Sequence, residues 1–285
     1  SHMRDGARIV VMAVIVSGCV RTGAVGRYAR AAGATAAEFP ELADDMTASC
    51  VRLEGYREAR EGKGWGLVES GDLEKRCEDR GKAVRRAVSV ERVLGRYFAA
   101  LGALADDKVV KYDGEMDDLT DALEDDAKLD RKKVKAVSDL AAFAASVTTD
   151  GYRHLKLARV IEEQNGNVGT VIDALAEIVA TDYANVLELE ATGMESFYRS
   201  ALAEGAEREP LAAILVSDAR DERAAALREK REALARYVKA LGTMKAGHQR
   251  LYDSRHDLNA KALARELADY AAQLEKMVPA LRDAF

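Results

Sequence analysis

The stretch LREKREALARYVKALGTMKAGHQRL, residues 227–251, decides the fold class. Leu227, Lys230, Leu234, Tyr237, Leu241, Met244, His248 and Leu251 recur at alternating spacings of three and four. That spacing keeps one seam of a helix turned toward a partner helix. After the polar turn Asp253-Ser254-Arg255-His256-Asp257, the pattern resumes in Leu263, Leu267, Tyr270, Leu274, Met277 and Leu281. A turn this short sets the two seams face to face and predicts an antiparallel helical hairpin over 209–285. The alternative is a seam that joins two copies of the chain through these C-terminal helices.

Upstream, the same helical period recurs. Leu42, Met46, Cys50, Leu53 and Tyr56 predict a helix over 41–60, and Pro40 suits its start. Gly62, Gly64, Gly66 and Gly71 interrupt it, with Trp65 among them. Ser70 or Asp72 is placed to cap a second helix running to about Asp106. Asp130 caps a predicted helix from Arg131 to about Gln164, and Asn165-Gly166-Asn167 reads as a turn or kink. Val168 to about Ala203 forms the next helix, and Pro210 opens the last pair. No stretch alternates long enough with period two to make a strand, and only three prolines and 6% aromatic residues favour helix. The predicted fold is all-α, an elongated antiparallel bundle over 39–208 with a coiled-coil-like hairpin over 209–285.

The formal net charge is −6, which makes nucleic acid an unsuitable partner because the chain lacks a phosphate-binding cationic footprint. At the N-terminus, Ser1-His2-Met3 reads as a tag-cleavage scar. Arg4 and Arg8 then precede the apolar run Ile9 to Val16, and Val16-Ser17-Gly18-Cys19 follows. The run is too short for a permanent transmembrane helix, which takes about 20 residues. This segment resembles the signal peptide and lipobox of bacterial lipoproteins. The resemblance covers the first 19 residues only, and it implies cleavage before Cys19 and acylation of its thiol. It further implies a lipid-anchored protein of the cell envelope, on the periplasmic face or the cell surface. Residues 19–38, rich in Ala, Gly and Arg, then read as a tether.

Three cysteines are an odd number. With Cys19 acylated, Cys50 and Cys77 remain as a disulfide suited to an oxidising compartment. Cys50 lies about ten residues before its helix end and Cys77 about five after its helix start, a mismatch of roughly 7 Å along antiparallel arms. The intervening loop can absorb that offset. Closing the loop contributes about 3–4 kcal/mol on the chain-entropy account.

Catalytic and metal motifs are sparse. Asp113, Glu115, Asp117, Asp121 and Glu124 fall at ligand positions of a calcium loop, but Asp118 stands where that loop needs glycine. The three native histidines, His154, His248 and His256, form no Glu-x-x-His or His-Glu-x-x-His motif. His248 lies on the seam and is expected to be packed and hydrogen-bonded. There is no phosphate loop and no nucleophile elbow, and no cofactor is expected. Asp182 falls inside an apolar stripe two turns before Glu190, a spacing that suits either a ligand or proton site or a pair of satisfied structural carboxylates. Trp65, in its glycine loop, is a candidate partner contact.

These features predict a non-enzymatic envelope protein that acts as a protein-interaction or assembly module, with an unidentified envelope protein as partner and the membrane reached through the lipid. One alternative is an inhibitor or immunity factor that binds a toxin or lytic enzyme. The other is a small-ligand binder or enzyme with its site around Asp182 and Glu190.

Overall fold

The computed structural model describes residues 22–63, 70–106, 130–146, 157–205 and 207–285. The lipobox with Cys19, the acidic segment 113–124 and Trp65 lie outside them. The chain is all-α, with no strand among the described residues. Its helices are α1 (Gly23–Ala36), α2 (Phe39–Glu58), α3 (Ser70–Arg76), α4 (Glu78–Ala105), α5 (Arg131–Ser146), α6 (Leu157–Glu177), α7 (Ala184–Gly205), α8 (Pro210–Asp253) and α9 (Lys261–Arg282). Short π-helical turns extend α2 over Ala59–Lys63 and join α6 to α7 over Ile178–Tyr183.

The C-terminal hairpin forms within one chain. Leu227, Leu234, Tyr237, Leu241, Met244, His248 and Leu251 of α8 are buried, as are Leu263, Leu267, Leu274 and Leu281 of α9. The seam is therefore spent inside the molecule rather than offered to a second copy. Each buried leucine contributes about 1.5–3 kcal/mol. Helix α9 also packs on α1, while α8 packs on α6 and α7, so the hairpin shares one apolar core with the rest of the bundle.

The tether expected over 19–38 is corrected by α1. Residues Gly23–Ala36 form a helix whose Val25, Tyr28, Ala29 and Ala32 are buried. Small side chains let it approach α4 closely. A β-carbon on Gly102 would sit 3.5 Å from that of Ala29, and one on Gly33 would sit 3.7 Å from that of Phe98. Arg27 pairs with Glu275 of α9 at 2.7 Å, and the Thr22 hydroxyl donates to the Ala105 carbonyl. Composition suggested a linker here because alanine and glycine carry little apolar signal, yet they are what close helix packing requires.

One further boundary differs from expectation. The helix predicted from Arg131 to Gln164 is described as α5 and the start of α6, residues 147–156 lying outside the described residues, and α6 runs on past Gln164 to Glu177. Asn165-Gly166-Asn167 lies inside α6 instead of forming a turn. Both asparagine amides find partners there. The Asn165 Nδ2 donates to Gln249 Oε1 at 3.0 Å, and the Asn167 Nδ2 donates to Gln164 Oε1 at 3.0 Å, so neither competes for the local backbone. Asp130 caps α5 as predicted, its Oδ1 accepting the Lys132 amide at 3.0 Å.

Cys50 on α2 and Cys77, at the junction of α3 and α4, form a disulfide with Cα atoms 6.0 Å apart. It ties α2 to the start of α4. No helix among the described residues is long and apolar enough to cross a membrane.

Candidate functional site

The structure separates Asp182 from Glu190. The wide π turn at Ile178–Tyr183 alters the helical register, so Asp182 swings out to solvent and Tyr183 occupies the buried position. Glu190, about two turns on, is only 2% exposed. A single site built from both acids is therefore not assembled.

Glu190 belongs instead to a charged network between α2, the π turn, α7 and α8. Arg52 donates from Nε to Glu190 Oε1 at 2.5 Å and from Nη2 to Glu190 Oε2 at 3.0 Å. The Ser49 hydroxyl donates to the same carboxylate. On its other side Arg52 donates from Nη1 to Asp45 at 3.0 Å. Asp45 also accepts from Lys230 Nζ and from the Tyr183 hydroxyl. Two carboxylates and two cations balance, and both acids are multiply hydrogen-bonded, as buried ions must be.

Electrostatics follow this geometry. Burial opposes the Asp45 charge, but hydrogen bonds from Arg52, Lys230 and Tyr183 outweigh it and hold the carboxyl below its ordinary range. Burial likewise opposes the Arg52 charge, and its bonds to Glu190 and Asp45 more than offset it. Burial, reinforced by the neighbouring Asp45 charge, raises Tyr183, which keeps its proton and donates it. The network joins α2, the π turn, α7 and α8, and each of its four charged groups is paired within it. Glu190, readable as a structural carboxylate paired to an arginine or a tyrosine, and Lys230, a cation on an otherwise leucine-rich seam, were the sequence signals for it.

Two other buried titratable groups occupy the core. His248 accepts from the Tyr97 hydroxyl at Nε2 (2.6 Å) and donates from Nδ1 to Asn165 Oδ1 (2.9 Å), taking the imidazole as the neutral Nδ1–H tautomer. Burial lowers its pKa to about 3. Glu91 on α4 is 5% exposed beside Gly95, and burial pushes its carboxyl up to about 8 despite nearby Arg92.

Asp182 lines an open cleft of about 830 Å³ between α4 and the α6–α7 wall, floored by Met46. The floor is apolar through Val84, Ala87 and Val186, and charged side chains stand at the rim. Several of these are already engaged within the protein: Lys82 with Glu78 at 3.0 Å, and Lys133 with Glu177 at 2.7 Å. Among the described residues no group of three or more His, Cys, Asp or Glu side chains is arranged to hold a metal.

Among the described residues, three of the four exposed large apolar side chains lie together elsewhere. From Arg199 to Gly205 on α7, and from Pro210 to Ala226 on α8, no described residue is buried. These segments form a helical arm that projects past the last contacts of α2, where Tyr56 packs on Phe197 and Tyr198. Leu211, Ile214 and Leu215 are 79%, 58% and 70% exposed on one face of the arm. Ala212, Ala213 and Val216, on the opposite face, are partly buried. Sequence reading began the α8 seam at Leu227 and passed over this stripe, although Leu-Ala-Ala-Ile-Leu-Val at 211–216 carried the signal.

No family model, curated protein or solved structure matches the chain.

Proposed function

We propose that this chain is a non-enzymatic, lipid-anchored protein of the bacterial envelope whose helical bundle presents the α7–α8 arm to another protein. The exposed stripe of Leu211, Ile214 and Leu215 carries this reading. Soluble proteins seldom leave several large apolar side chains together on one face unless that face is used. Two further features support export. The lipobox-like Val16-Ser17-Gly18-Cys19 supplies an anchor, and the Cys50–Cys77 disulfide suits an oxidising compartment.

The test places a photo-crosslinking residue at Ile214 in the full chain, expressed with its N-terminus in a bacterial host and fractionated with detergent. A discrete crosslinked protein and partitioning that Cys19→Ala abolishes are the expected results. Crosslinks only to bulk material refute the interaction role, and identical partitioning of the two forms refutes the anchor.

The cleft beside Asp182 favours a second reading, a small-ligand binder. Its volume falls in the range of ligand pockets, about 300–1,000 Å³. Its openness to solvent and the internal pairing of Lys82 and Lys133 weigh against it.

A further inference from the structure

The arm's apolar stripe is set in negative charge. Asp218 and Glu222 continue the face of Leu211, Ile214 and Leu215 one and two turns along α8, and both are exposed. Glu204, Glu207 and Glu209 gather at the turn between the helices, also exposed. Over 199–222 the cations Arg199 and Arg220 are taken up by Glu195 and Asp221, which leaves Arg208 as the one without an acidic partner among the described residues. The face is thus a short apolar patch bounded at both ends by carboxylates.

From this geometry we infer that the arm docks a basic amphipathic helix of a partner protein, one with apolar residues spaced three and four apart and flanked by Lys or Arg. Such a helix lays its apolar side along Leu211, Ile214 and Leu215, while its cations meet Asp218 and Glu222 at one end and the turn glutamates at the other. Charge argues against the other occupants. A second copy docked antiparallel would bring the acidic end of one stripe onto the acidic turn of the other. An anionic bilayer would face the same carboxylates. The inference rests on the interaction role proposed above and adds the chemistry of the partner.

The experiment measures fluorescence anisotropy of labelled peptides with the full chain. One peptide of about 18 residues, long enough to hold a helix, carries leucines at helical spacing and lysine and arginine elsewhere. A second replaces the cations by glutamate, and a third scrambles the leucine spacing. The basic peptide should bind saturably and more weakly as salt rises. The acidic and scrambled peptides should bind at least about tenfold less tightly, as should the basic peptide to a Leu211→Ser, Ile214→Ser, Leu215→Ser variant. That variant alters only exposed side chains, and its circular dichroism melt should match the parent.

Asp218→Lys with Glu222→Lys should reduce affinity and flatten the salt dependence. Equal binding of the basic and acidic peptides, or none, overturns the inference. So does flotation with phosphatidylglycerol vesicles that the serine variant abolishes, which assigns the stripe to the membrane. A sedimentation dimer that the serine variant converts to monomer assigns it to a second copy and overturns the inference as well. A discrete crosslink at Ile214 without basic-peptide binding leaves the interaction role standing and removes only the partner chemistry.

Discussion

The Arg52 guanidinium grips Glu190 as a two-pronged fork and, from its other edge, holds Asp45, so one cation spans two buried carboxylates on different helices. Removing it leaves Glu190 in the interior with only the Ser49 hydroxyl, while Asp45 keeps Lys230 and Tyr183. Arg52→Ala should therefore destabilise the fold by about 3–5 kcal/mol, whereas Arg52→Lys should recover only part of that because an ammonium cannot match the fork. Urea denaturation followed by circular dichroism checks this. An Arg52→Ala midpoint equal to wild type would show that the network contributes nothing to stability.

Stability should peak in mildly acidic solution, because two buried groups oppose each other. Glu91 titrates from an ordinary value of 4.5 up to about 8 on folding, so the native state holds the extra proton across that window and stability falls as pH rises through it. His248 moves from 6.5 down to about 3, so the unfolded state holds the extra proton and stability falls as pH drops through that window. Asp45, held below its ordinary range, adds to the acid limb below the unfolded carboxyl value. Glu91→Gln should remove the alkaline limb, raising the melting temperature near pH 8.5 by at least about 3 °C, on the order of 1 kcal/mol for a chain of this size. His248→Gln should flatten the acid limb. Parallel pH profiles for wild type and Glu91→Gln would refute the assignment.

Glycines 166 and 247 should respond oppositely to alanine. A β-carbon at Gly166 meets nothing within 4 Å, so Gly166→Ala should stabilise α6 by about 1 kcal/mol through helix propensity alone. A β-carbon at Gly247 would stand 2.3 Å from Cε2 of Tyr28, whose hydroxyl is anchored to the Met244 carbonyl. Gly247→Ala should cost about 1–3 kcal/mol despite the same propensity gain. Thermal melts of the pair test both signs at once.

The Cys50–Cys77 bridge closes its loop in the folded state, and reduction should lower stability by about 3–4 kcal/mol. In protein directed to the periplasm of a bacterial host, both thiols should resist alkylation until a reductant is added. Alkylation of protein from the periplasm without reductant would refute the bridge there.

Much of this architecture was legible in the sequence because long, regular apolar periods leave little choice. The hairpin seam around Leu241 and Leu267 follows from spacing, and the pairing of Cys50 with Cys77 follows once the lipobox-like segment sets Cys19 aside. What was not legible shares a cause: it depends on contacts between segments distant in the chain. Asn165 looks like a turn residue until His248 and Gln249 occupy its amide. Asp182 looks buried until a π turn changes the register. The Ala/Gly-rich α1 looks like a linker until α4 lies against it, although Tyr28 in its middle was an unexplained large apolar residue. Glu190 was legible as a carboxylate wanting an arginine, but which arginine was not.

Helix α8 runs unbroken for 44 residues, Pro210–Asp253, and carries both the exposed stripe at Leu211 and Leu251 in the core. At 1.5 Å per residue it is a rod of about 66 Å, whose tip lies about 25 Å along the axis from Leu227, its first buried residue. A rod clamped firmly along one half and held only by partly buried side chains such as Val216, Ala219 and Ala224 along the other is a lever. Force or torque applied at its tip is delivered to the clamp, where Lys230 meets Asp45 and His248 meets Tyr97.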